Sequence, residues 1–351
     1  SISTFSLLSR FAGSRCGSGF VSFRVHGPED SQDAVFEDVK PLLTSLLDGY
    51  NVCIMAYGQT GSGKTHTMMG SQPLEEHSGS QQEAQQGIIP KAAAELFRLI
   101  SEKPAESHAV EVSVVEVHNN EVFDLLARDE QGNAVRQRRD VITTSSGASQ
   151  VTSLTYEPVF SASEVMHISS RVQKLRAHCD TLIHTDSSRS HLILHSYTRS
   201  HAPVGRRIPL FATLIIFHSA RSPRCRRANP ATPFRTKLQL VDLAGSECVG
   251  MSGVSGAALW EVSCINRSLS ALSDVLGALA EQRPHVPYRN SKLTHLLQDA
   301  IGGDAKLLVV LCVSPTQRFI TESLQSLGFG NRARQVQKAL PRRRNNTPKD
   351  K

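Results

Sequence analysis

Gly58-Gln59-Thr60-Gly61-Ser62-Gly63-Lys64-Thr65 is a complete G-x-x-x-x-G-K-[ST] phosphate-binding loop. Residues 51–57 precede it as an apolar run with the length and composition of a buried strand. Strand, glycine-rich loop and following helix predict a nucleoside-triphosphate binder. The glycines let the backbone wrap a polyphosphate, and N–H groups at the start of the helix point at its oxygens. Lys64 would add a point charge at the β/γ-phosphates, and Thr65 a hydroxyl ligand for Mg²⁺.

Outward from the loop, residues 110–117 alternate around a β-branched core, and 88–100 carry apolar residues at helical spacing. Strands alternating with helices predict an α/β fold with a largely parallel sheet. Residues 306–313 are a second buried strand, and helical patterns fit 163–176, 265–280 and 291–301. Polar stretches at 71–86 and 129–139, and the basic, proline-containing stretch 200–236, read as surface insertions. No internal repeat or heptad run is present, so the chain offers no coiled coil of its own.

The 351 residues, 39% of them hydrophobic, suffice for one large α/β domain. The net charge of +7 is unevenly spread: positions 199–237 hold nine Lys/Arg and no acid, and the tail from Arg332 is basic too. Such patches favour an acidic partner, whether nucleic acid, anionic membrane or an acidic protein surface. Seven scattered cysteines without C-x-x-C spacing suggest neither disulfides nor zinc, and point to a reducing intracellular compartment. The longest apolar stretch, 208–217, contains Pro209 and falls short of the ~20 residues that span a bilayer, so no membrane insertion is expected. The chain begins at Ser1 without an initiator Met, which fits a fragment.

Two further segments read as phosphate sensors. Residues 238–242 form a strand ending in Asp242, whose carboxylate can hold a Mg²⁺ shell through water. The chain continues to Gly245, whose N–H can approach a γ-phosphate with no side chain in the way, and then to Glu247. Upstream, Ser187-Ser188-Arg189-Ser190-His191 supplies two adjacent hydroxyls and a guanidinium. Arg189 and Glu247 are opposite charges, and a pair between them can close over the nucleotide and break on release.

The ordered set G-Q-T-G-S-G-K-T-H-T-M, S-S-R-S-H, L-V-D-L-A-G-S-E, I-N-R-S-L-S-A-L, H-V-P-Y-R-N-S-K-L-T-H-L-L-Q-D and L-G-F-G-N-R-A resembles the kinesin motor domain over residues 20–337. The resemblance implies one phosphate-loop NTPase domain whose central, mainly parallel sheet is flanked by helices on both faces. It implies binding of ATP/ADP with Mg²⁺, and hydrolysis coupled to force or movement along microtubules. Carried over by position, Ser188 approaches Mg²⁺ or the γ-phosphate, Ser187 the attacking water, and Glu247 belongs to the relay that accepts the water's proton. His66 packs near adenine. The tubulin-facing surface falls on Asn266 and Arg267, on loop 285–289 with Arg289, and on Lys292. The expected location is the microtubule cytoskeleton in the cytoplasm, with spindle or centrosome as finer assignments.

Three departures qualify the resemblance. Nothing before Phe20 matches the R-x-R-P strand that lines the family's adenine pocket, so residues 1–19 do not conform and the first strand is expected to be missing. His184 stands where the family has Asn, which would impair closure. The loop after Glu247, Cys248-Val249-Gly250-Met251-Ser252-Gly253, has no positive charge, which would weaken stimulation by the filament. A catalytically weak microtubule tether is therefore one alternative. A phosphate-loop protein acting on nucleic acid is another, disfavoured because no RNA or DNA module is recognisable. In the tail 338–351, Pro341 and the arginine triplet suit no docked strand. This fits the minus-end-directed, C-terminal-motor class, and the chain alone is expected to be a monomer.

Overall fold

The computed structural model describes residues 3–9, 22–71, 86–103, 108–145, 147–179, 189–200, 235–246, 256–303 and 305–336. In chain order the strands are β1 (Ser3–Ser9), β2 (Ser22–His26), β3 (Val52–Tyr57), β4 (His108–His118), β5 (Glu121–Asp124) and β6 (Gln137–Arg139). They continue with β7 (Val141–Thr143), β8 (Ser149–Val151), β9 (Glu157–Val159), β10 (His191–Ser200), β11 (Arg235–Asp242) and β12 (Lys306–Val313). The helices are α1 (Gln32–Phe36), α2 (Lys40–Leu47), α3 (Lys64–Met69), α4 (Ile88–Ser101), α5 (Ala162–Cys179), α6 (Ala257–Ala280), α7 (Lys292–Leu296), α8 (Gln298–Ile301) and α9 (Ile320–Gln335).

Among the described residues ten strands make one sheet, in the order β2-β1-β12-β3-β11-β10-β4-β5-β6, with β9 also on β4. β3 pairs parallel with both β11 and β12, and the flanking pairs are antiparallel. The sheet is therefore mixed, with its parallel strands at the centre. All six residues of β3 are buried because both faces are covered. Val52, Ile54 and Ala56 pack with α1, α2, α4 and α5, while Cys53, Met55 and Tyr57 pack with α6, α7, α8 and α9. β12 divides the same way, Leu308, Val310 and Cys312 to the first core and Leu307, Val309 and Leu311 to the second. A strand buried on both faces reads as an unbroken apolar run, which is why β3 and β12 were legible.

Several expectations need correction. A strand does precede β2: β1 inserts between β2 and β12, so the first strand is not missing. It runs antiparallel to β12, with Ser3 opposite Val313, and carries no R-x-R-P. Residues 129–139 are not a plain surface insertion. They bend back through an Arg128–Ala134 bridge so that β6 pairs with β5, and the Asp129 carboxylate accepts N–H groups from Gln131 and Asn133 at the turn. The helix expected at 265–280 begins earlier, at Ala257. The one expected at 291–301 divides at Leu297 into α7 and α8, after a capping box formed by Ser291 and Thr294. The basic stretch departs from the antiparallel pair β10–β11, where Arg199 faces Arg235. Its residues 201–234 lie outside the described residues, as do 72–85 of the other expected insertion and 337–351 of the tail. Among the described residues no helix is long and apolar enough to cross a membrane.

Candidate nucleotide site

β3 delivers the glycine-rich loop at the end of the central sheet where its parallel neighbour β11 also finishes. A Cβ on Gly58 would fall 2.1 Å from the carbonyl oxygen of Cys312, so only glycine lets the loop pass β12 this closely. Gly63 caps α3 in the left-handed region, at φ 96°. The loop curls around one carbonyl: Ser62 Oγ donates to Gln59 O at 2.7 Å, and Lys64 Nζ donates to the same oxygen at 2.8 Å. The Ser246 N–H donates to Gly58 O at 3.1 Å and ties the loop after β11 to the phosphate loop.

Thr65 and Asp242, each expected from the sequence to serve a magnesium ion, are in contact, with Thr65 Oγ1 donating to Asp242 Oδ2 at 2.7 Å. Burial pushes the Asp242 carboxyl up from its ordinary value, offset only in part by the Thr65 hydroxyl and the Lys64 ammonium. Its second oxygen, Oδ1, is buried and has no protein partner, as has Gln59 Oε1. Burying a carboxylate oxygen unpaired is costly, and a hydrated cation is the chemistry that would satisfy it. This donor set, one hydroxyl and one orphaned carboxylate oxygen beside a glycine cradle, fits a magnesium-bound polyphosphate. Gly245 is buried beside it on the same loop.

His191 locks two of the motifs together. Its Nδ1 accepts the Ala244 N–H at 3.0 Å, and its Nε2 lies 2.6 Å from Ser268 Oγ on α6. Burial, with the nearby Lys64 and Arg176 cations, lowers it from 6.5 to about 3, so it stays neutral. Arg189 Nη1 donates to Glu261 Oε2 of α6 at 2.6 Å. Glu247, Ser187, Ser188 and His184 lie outside the described residues. His66 is exposed, its Nδ1 3.2 Å from Ser71 Oγ, and its carbonyl accepts from Gln32.

The expected filament contacts divide. Arg267 is exposed on α6, while Asn266 lines a cleft of about 510 Å³ between α6 and α9 with Tyr57, Phe329 and Arg332. Arg289 is exposed and reaches Thr143 Oγ1 at 3.3 Å, and Lys292 Nζ lies 3.6 Å from Asp140. Both therefore gather beside β7.

Sequence reading missed a buried anchor beneath the S-S-R-S-H segment. Glu116 on β4 accepts from Ser190 at 2.6 Å, Arg136 at 2.7 Å and Arg176 at 3.2 Å. Burial alone would raise its carboxyl, yet the Arg176 and Arg136 guanidiniums outweigh that and hold it below the usual range. The available signal was an acid inside the valine-rich run 110–117.

Residues 17–336 match the family described as kinesin motor domain. The chain belongs to the kinesin family. It is 52% identical over 347 residues to the kinesin-like protein KIF25 of Macaca fascicularis, covering 92% of this chain and 58% of that protein. With the kinesin-like protein KIF25 of Homo sapiens it shares 49% over 374 residues, 96% of this chain and 95% of that one. Among solved structures, the KIF14 dimer bound with AMP-PNP to a microtubule superposes with a TM-score of 0.70 at 32% identity, covering 88% of this chain and 78% of that one. The kinesin fold carries a nucleotide-binding site, which is where the phosphate loop, Thr65 and Asp242 converge.

Proposed function

We propose that this chain is a microtubule motor ATPase that couples Mg·ATP hydrolysis to a changing grip on the filament. The observation that carries the reading is the meeting of Thr65 and Asp242 beside the Gly58 cradle, inside a kinesin motor fold. Lys64 and the loop N–H groups hold the β- and γ-phosphates, and His66 lies toward the base. Thr65, Ser188 and Asp242 would hold the magnesium ion, which would supply charge neutralisation at the phosphates. Ser187 orients the attacking water, the Gly245 N–H meets the γ-phosphate, and Glu247 accepts the water's proton through a relay. Asn266, Arg267, Arg289 and Lys292 serve the acidic filament surface, in the cytoplasmic cytoskeleton and at the spindle or centrosome. The chain acts as a monomer.

The weak-tether alternative rested partly on a missing first strand. β1 fills that place in the sheet, which removes one support, while the lack of R-x-R-P leaves base recognition to other residues. Glu247→Ala decides whether chemistry occurs as proposed. ATP binding should persist while turnover falls at least ~100-fold, the lower end for losing a positioned proton-transfer group. Intact turnover would reassign Glu247 to a structural role.

A further inference from the structure

One face of the sheet is open to solvent at the end away from the phosphate loop. Side chains alternate along a strand, so Glu111 on β4, Tyr197 and Arg199 on β10 and Arg235 on β11 share the face on which Val115, Ile193 and Val241 enter the second core. Solvent reaches that face here, since Ala109, Arg199 and Arg235 are exposed. Arg235 lies seven residues before Asp242, about 23 Å along β11. Arg199 and Arg235 stand directly opposite each other across the β10–β11 pair, and like charges so placed destabilise a sheet. Arg235 is steadied by aromatic rings: its guanidinium carbon lies 4.2 Å over the centre of Tyr197 and 5.8 Å from that of Tyr156, the two rings meeting edge to face at 5.4 Å. Glu111 reaches Arg235 Nη2 at 3.4 Å. Among the described residues no carboxylate pairs with Arg199. Residues 201–234, which join the two strands, contain six Lys/Arg and no Asp or Glu, so the connecting chain cannot supply one.

We propose that this patch docks an Asp/Glu-rich segment of a partner protein other than the filament, with carboxylates bridging Arg199 and Arg235. Two guanidiniums face one carboxylate of the chain's own, and the planar fork of arginine matches a carboxylate through two parallel hydrogen bonds. A second carboxylate between the arginines turns their repulsion into attraction to a shared partner. Tyr156, 37% exposed, adds an apolar edge beside them. A single nucleic-acid strand fits less well, because it needs open rings for its bases to stack on. Here Arg235 covers one face of Tyr197, Tyr156 meets that ring at its edge, and Glu111 stands against a phosphate chain. The patch shares no residue with Asn266, Arg267, Arg289 and Lys292, and its distance from Asp242 leaves nucleotide chemistry untouched. It does not depend on the motor reading.

The test titrates the full chain into a fluorescein-labelled oligoglutamate of about twelve residues and into an oligothymidylate of similar length and charge, reading anisotropy at low salt. Arg199→Gln with Arg235→Gln should weaken the peptide at least ~tenfold, whereas Arg318→Gln with Arg334→Gln, which removes the same charge from exposed arginines elsewhere, should weaken it less than about twofold. Tyr156→Ala changes no charge and should weaken the peptide about threefold by releasing Arg235, and Tyr156→Phe should restore it. Basal Mg·ATP turnover and microtubule cosedimentation should be unchanged in all of these variants. Equal losses in the two arginine pairs, or no peptide binding by the unmodified chain, overturn the proposal. Tighter binding of the oligothymidylate that the Arg199/Arg235 pair abolishes would assign the patch to nucleic acid instead. A loss of microtubule affinity as large as the loss of peptide affinity would give it to the filament, which also contradicts a separate partner.

Discussion

Asp242 has one oxygen on Thr65 and the other on no protein atom, while Lys64 turns its ammonium onto the Gln59 carbonyl. Both groups are arranged around a charge that the chain does not itself provide. Lys64→Ala should therefore abolish tight nucleotide binding, because charge-assisted hydrogen bonds to a desolvated polyphosphate are strong. Fluorescent-nucleotide titration checks it, and an unchanged affinity would contradict the phosphate-loop assignment. Two histidines give a second expectation. Burial lowers His191 to about 3, and it lowers His195 well below 6.5. Above the ordinary histidine value neither state is charged. As pH falls through it, the unfolded chain takes up protons that the folded chain refuses, so stability should drop by roughly 1 kcal/mol per histidine per pH unit. Urea unfolding at pH 7 and pH 5 reads this window above the carboxylate range. A flat stability there would contradict neutral burial.

At the scale of elements, the Glu116 anchor joins β4, α5 and the S-S-R-S-H segment through Arg176 and Ser190. Glu116→Ala leaves Arg136 and Arg176 short of their carboxylate and should cost about 3 kcal/mol of stability, read from the urea midpoint. A loss under about 1 kcal/mol would mean that water replaces the carboxylate. The elements most legible in the sequence were those whose pattern follows from burial alone. β3, and β12 after Lys306, are apolar because helices cover both faces, and α4 shows one apolar stripe. β6 was illegible because Gln137, Arg138 and Arg139 carry no strand pattern and are held by pairing with β5. The early start of α6 was hidden because Leu259 and Trp260, apolar but exposed, interrupt the stripe of buried residues before Ile265. The motifs singled out both Thr65 and Asp242, which the fold brings into contact, but they said nothing of Glu261, whose contacts with Arg189 and His118 depend on where α6 lies against β4 and β10.

Across the whole molecule, Arg289 and Lys292 gather beside β7, while Arg267 stands exposed on α6. The Lys292–Asp140 pair at 3.6 Å is a surface contact worth little, so the lysine remains available to an acidic partner. Microtubule affinity should fall steeply from low to physiological salt, since exposed charges are screened over ~8–10 Å. Arg289→Ala combined with Lys292→Ala should weaken cosedimentation and flatten that slope, whereas a salt-insensitive affinity would mean an apolar interface. The most direct test of the motor assignment is phosphate release from Mg·ATP at increasing microtubule concentration. A saturable rise above the basal rate is expected, and a rate that stays flat while the chain still cosediments with the filament would contradict the motor and leave a tether.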